Sequence, residues 1–92
     1  MPTYRADYQG STIELRHNIR EGTYALSISN PDHERRLSFK STNPRDVSDI
    51  QCSPEDYRYF KAKREIIKSI VPLIGLKDNE KIAVLSALER II

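Results

Sequence analysis

Ser53-Pro54-Glu55-Asp56 separates two rhythms in this chain. Before it, apolar and polar residues alternate, as a half-buried strand requires. After it, apolar residues recur every three to four positions, as an amphipathic helix requires. The four residues also read as a helix start. Ser53 suits the N-cap and Pro54 the first helical position. Asp56 stands where a capping box places its acid, although Glu or Gln is the usual partner there.

Upstream, Tyr4, Ala6 and Tyr8 alternate with Thr3, Arg5 and Asp7, and Gln9-Gly10-Ser11 supplies a turn. Ile13, Leu15, His17 and Ile19 then share one face, opposite Thr12, Glu14, Arg16 and Asn18. After the loop Arg20-Glu21-Gly22, Tyr24, Leu26 and Ile28 oppose Thr23, Ala25, Ser27 and Ser29. Asn30-Pro31-Asp32-His33 reads as a type I turn. A fourth strand follows, with Leu37 and Phe39 inward and Arg36, Ser38 and Lys40 outward. Short connections predict an antiparallel meander of three or four strands over residues 3–41. Residues 42–52, with Asn43-Pro44, read as a linker in which Val47 and Ile50 are either anchors or a short extra strand.

Downstream, the helix from Pro54 carries Tyr57, Phe60, Ile67, Val71 and Ile74 on one stripe, with Tyr59, Ile66, Ile70 and Leu73 beside it. Pro72 is expected to kink or end it near Val71, and Gly75 fits the residue after its C-cap. A second helix is expected from about Asp78, its cap, to the C-terminus. It presents Ile82, Leu85, Leu88 and Ile92 on one side, with Val84 and Ile91 flanking. The expected fold is α+β: one domain, a sheet with two C-terminal helices on its apolar face.

Composition narrows the function classes. The chain has 92 residues, 38% apolar and 30% charged, with 15 basic and 13 acidic residues and a net charge of +2. That balance is milder than the basic excess usual in sequence-independent nucleic-acid binders. Cys52 is the single cysteine, so an internal disulfide is excluded and a reducing compartment is the simplest reading. No apolar run approaches the roughly 20 residues that span a bilayer. A cytoplasmic protein with no membrane association is expected.

No catalytic or cofactor motif stands out. One Cys and two His, widely spaced, do not make a metal site, and Gly10, Gly22 and Gly75 are isolated, so no phosphate-cradling loop exists. His17 is expected as a core-edge histidine bonded to backbone or a tyrosine, and His33 as a solvated turn residue. Cys52 abuts a helix N-terminus, where thiol pKa values fall, yet an incidental thiol is the plainer reading.

Three surfaces remain. The first is a basic helix stripe of Arg58, Lys61, Arg64 and Lys68, able to meet phosphates but interleaved with Glu65. The second is the polar sheet face, where Arg16, Arg36 and Lys40 flank the small residues Ala25, Ser27 and Ser29 but no stacking aromatics. The third is the apolar surplus of the helical half, Tyr59, Ile66, Ile70, Leu73, Ile91 and Ile92, which either packs internally or meets a partner. Element order alone resembles that of small sheet-plus-helix domains that bind single-stranded nucleic acid. The leading expectation is a non-enzymatic interaction or regulatory module that self-associates as a homodimer through its helical layer. Nucleic-acid binding by either basic surface is the alternative.

Overall fold

The computed structural model describes residues 3–43 and 46–91. Five antiparallel strands run β1 (Thr3–Tyr8), β2 (Ser11–Asn18), β3 (Thr23–Ser29), β4 (Glu34–Asn43) and β5 (Asp46–Gln51), and they lie side by side in that order. Helix α1 (Pro54–Ile70) follows, continues into a 3-10 turn (Val71–Ile74), and α2 (Asp78–Glu89) closes the chain. The fold is α+β, a sheet covered on one face by two helices, with five strands where three or four were expected.

The turns follow from local chemistry. Gln9 and Gly10 both have positive φ, 49° and 81°, as do the central residues of two-residue hairpins that match the twist of their strands. Asn30 accepts from the backbone N–H groups of Asp32 and His33, fixing the β3–β4 turn. In α1, the Ser53 hydroxyl accepts from Asp56 N–H at 3.1 Å, as expected of the cap. Asp56 does not close the box. Its carboxylate turns instead to Arg35 Nη1 and the Arg36 N–H of β4. The helix ends where Pro72 enters the 3-10 turn, and Gly75 at φ 76° stops it.

β5 occupies most of the segment expected as linker. Its pairing with β4 shifts register, and Asp49 sits at φ 52°. This irregularity lets Val47 and Ile50, an odd spacing apart, both turn inward, with Val47 buried and Ile50 half-buried. A bulge that adds one residue to a strand hides it from a strict alternation test. Pro44 of the proposed linker lies outside the described residues.

The core lies between sheet and helices. Ile13, Leu15, Leu26, Leu37, Phe39 and Val47 from the sheet meet Phe60, Ile67 and Val71 and, from the second helix, Val84 and Leu88. Each large apolar side chain so buried contributes roughly 1.5–3 kcal/mol before the entropy of folding is set against it.

Four expectations are corrected. Ile19 is 66% exposed, because β2 ends at Asn18 and Ile19 belongs to the loop. Helix α2 buries Glu80, Ala83, Val84, Ala87 and Leu88, whereas Ile82 is exposed. The alanines set that face by letting the helix approach closely. The cap of α2 is Lys77, whose N–H is accepted by Glu80 Oε1 at 3.0 Å, with Asp78 the first helical residue. Ile70 and Ile91, expected to meet a partner, are core residues at 5% and 0% exposure.

Candidate functional site

Among the described residues, the most enclosed carboxylate is Glu80. Its side chain is 5% exposed, and one carboxylate oxygen lies 2.8 Å from His17 Nδ1. Tyr4 donates its hydroxyl to the same carboxylate, and Lys77 N–H completes the set. Burial pushes the Glu80 pKa up, but the hydrogen bonds from Tyr4, His17 and Lys77 outweigh it and leave the carboxyl below its ordinary range. The same contact raises the Tyr4 pKa, since losing its proton would set two anions side by side. His17 stacks on Tyr24 with centroids 4.0 Å apart, and Tyr24 on Phe39 at 4.9 Å.

The inward histidine expected from the sequence is therefore found, with a carboxylate as its partner and a tyrosine as its stacking neighbour. Glu80 was missed because it stands 63 residues from His17 in sequence. Its place three residues after the cap shows only in the structure, because the sequence points to Asp78 rather than Lys77 as the cap. A shallow depression of about 340 Å³ opens beside this node, lined in part by His17, Tyr24, Ser41 and Asn79. Chemically, the node holds an imidazole in one orientation. The Ser41 hydroxyl in the same depression donates to the Asn43 carbonyl.

The polar sheet face is uncovered, and its charges are largely spent on each other. Glu14 accepts from Arg5 at 2.8 Å and from Arg16 at 2.8 Å. The hydrogen bond from Arg5 holds the Glu14 carboxyl below its ordinary range, against the opposing effect of partial burial, and Arg16 adds to it. Arg36 pairs with Glu34. These side chains and the small residues Ala25, Ser27 and Ser29 frame a shallow groove of about 250 Å³. Lys40 is exposed on the same face, opposite Thr23. Arg16 and Arg36 thus line one groove, each beside a carboxylate.

The basic stripe is also divided. Lys68 pairs with Glu89 and, at 3.5 Å, with Glu65, and Arg64 donates to the Ile91 carbonyl, so both fasten α1 to the C-terminal segment. Arg58 and Lys61 are exposed. Neither has an ion-pair partner among the described residues. Arg35, which no sequence signal singled out, bridges β4 to Glu55 and Asp56 at 2.9 and 3.3 Å and lies over the Tyr59 ring. Burial, with Asp56 nearby, pushes the Cys52 thiol up and keeps it protonated at neutral pH. No group of three potential metal ligands occurs among the described residues. No helix among them is long and apolar enough to cross a membrane.

The apolar surplus is mostly internal, with a remainder on the β1 side. Ile66 and Leu73 are 50% and 70% exposed, and Tyr59 is half-buried. Tyr8, Ser11, Tyr59, Lys63 and Ile66 line a groove of about 150 Å³ between the first hairpin and α1, and the turn bearing Leu73 packs on β1. Of the expected contact residues, Tyr59, Ile66 and Leu73 stay accessible. Ile70 and Ile91 do not, and Ile92 lies outside the described residues. β1 is also an edge of the sheet, paired without irregularity to β2 and open on its other side among the described residues.

No protein-family model matches this chain, and no curated protein or solved structure matches it.

Proposed function

We propose that this chain is a small non-enzymatic interaction module that self-associates on the β1 side of its helical layer. One observation carries the reading: exposed Leu73 lies in the turn packed on β1, exposed Ile66 lines a groove with Tyr8 of β1, and the β1 edge is regular and open among the described residues. An apolar strip next to unpaired backbone is the surface that a soluble chain covers with a partner. The charged groups support the same reading from the other direction. Glu80, Glu14, Arg35 and Lys68 are each engaged within the molecule.

Sedimentation velocity from low to high micromolar concentration tests it. The expected result is a mass that doubles with concentration, and a Leu73→Asp chain that doubles only at higher concentration. A mass that stays that of one chain at high micromolar concentration overturns the reading.

A second reading, nucleic-acid binding, rests on Arg58 and Lys61, which are exposed beside the partnered Arg64 and Lys68. It predicts retardation of single- or double-stranded probes in low salt that fades steeply as salt rises. Unretarded probes in low salt overturn it.

A further inference from the structure

Resting on the self-association reading, we infer that the partner is a second copy of this chain, joined by antiparallel pairing of β1 with β1. In this register Arg5 faces Asp7 of the copy, Tyr4 faces its Tyr8, and Ala6 meets its own counterpart on the two-fold axis.

The other edge of the sheet is the poorer candidate. β5 is broken by shifts of register and by the left-handed Asp49, features that keep an edge from templating a new strand. β1 has neither. Its six residues pair one to one with β2 and contain no proline or lysine to blunt the edge.

The strand is complementary to itself. Arg5 and Asp7 lie on the polar face, while Tyr4, Ala6 and Tyr8 lie half-buried on the apolar face. Pairing must keep like faces together, so it slides in steps of two residues. One step away from the proposed register puts Arg5 opposite Arg5, and a step the other way puts Asp7 opposite Asp7. Only the proposed register sets opposite charges across both outer positions, and cross-strand pairs of that kind stabilise a sheet.

Both groups keep capacity for the new bond. Arg5 gives Nη2 to Glu14, and Asp7 takes the Thr12 hydroxyl on Oδ1. That leaves further guanidinium donors and the other carboxylate oxygen. The result is a ladder of alternating sign, Glu14, Arg5, then Asp7 of the copy, across the joint. Beneath it, Tyr4 and Tyr8 pair across the axis and Ala6 allows close approach. Two five-stranded sheets become one continuous sheet, with Ile66 and Leu73 of each copy brought toward the joint.

The test swaps charges between copies. Arg5→Asp alone makes both outer pairs acidic, and Asp7→Arg alone makes both basic. Each variant should dimerise at least about tenfold more weakly than the parent. An equimolar mixture of the two variants again sets an acidic side chain against a basic one at both outer pairs. It should recover a heterodimer of near-parental affinity, read by sedimentation and native mass spectrometry. Because both positions are exposed, circular dichroism of the single variants should match the parent. Separately, Ala6→Cys in a Cys52→Ser background should form an intermolecular disulfide under mild oxidation, since residues directly opposite in antiparallel strands lie within disulfide reach.

A parent chain that stays monomeric overturns the self-association reading and this inference with it. A parent that dimerises, with charge variants that dimerise equally well and no Ala6→Cys crosslink, overturns the β1 register alone. Weak single variants that fail to recover on mixing also overturn it.

Discussion

Glu80 is the residue whose removal should be felt most widely among the polar groups. Glu80→Ala leaves the Tyr4 hydroxyl, His17 Nδ1 and the Lys77 N–H without their acceptor. Each unsatisfied partner costs about 1–3 kcal/mol, so denaturant unfolding should show a loss of at least about 2 kcal/mol. The pH dependence has a definite sign. The folded-state pKa of Glu80 lies below its unfolded value. Its contribution is therefore complete above about pH 4.3, the unfolded glutamate value, and is lost as pH falls through the folded value. Urea midpoints measured through the acid range should drop more steeply for the parent than for Glu80→Ala. Gly22 gives a second test at this scale. It holds φ 69°, and a Cβ there would meet the Ser41 carbonyl oxygen at 3.3 Å. Gly22→Ala should therefore cost about 1 kcal/mol or more in thermal unfolding, against the usual gain from replacing glycine.

At the scale of elements, α1 and α2 are tested by side-chain phase. Phe60→Ala should cost about 3–5 kcal/mol, because Phe60 is fully buried. Lys61→Ala, one residue on and exposed, should fall within about 0.5 kcal/mol of the parent. In α2, Val84→Ala should be the costlier change and Ile82→Ala the milder one. Equal losses at Ile82 and Val84 would contradict the observed face. Strand alternation and the stripe of α1 were legible because their buried residues are large and evenly spaced. The α2 face was legible only in part: Leu88 and the flanking Val84 and Ile91 are buried as expected, but Ala83 and Ala87 mark the rest by smallness while the bulky Ile82 points outward. β5 was legible only as an alternative to a linker, because its bulge breaks the period that alternation detects. His17 was placed correctly on the inner face, but Glu80 and Arg35 were invisible as partners. Long-range ion pairs leave no periodic trace.

For the whole molecule, the division at Ser53-Pro54-Glu55-Asp56 is also a joint. Ser53 caps the helix, and Glu55 and Asp56 hold Arg35 of the sheet, so the boundary between the two halves is fastened by the residues that begin the second. On the far side of the sheet, the helical layer reaches β1 through the turn that carries Leu73. If that side is where two copies meet, folding and association share free energy, and the melting temperature must rise with chain concentration. Differential scanning calorimetry over a hundredfold range of concentration should show this rise for the parent. The Arg5→Asp chain should show a markedly flatter dependence over the same range. A midpoint independent of concentration in a parent that sediments as one chain would mean that Ile66 and Leu73 are simply solvated. The open β1 edge would then be no more than the end of the sheet.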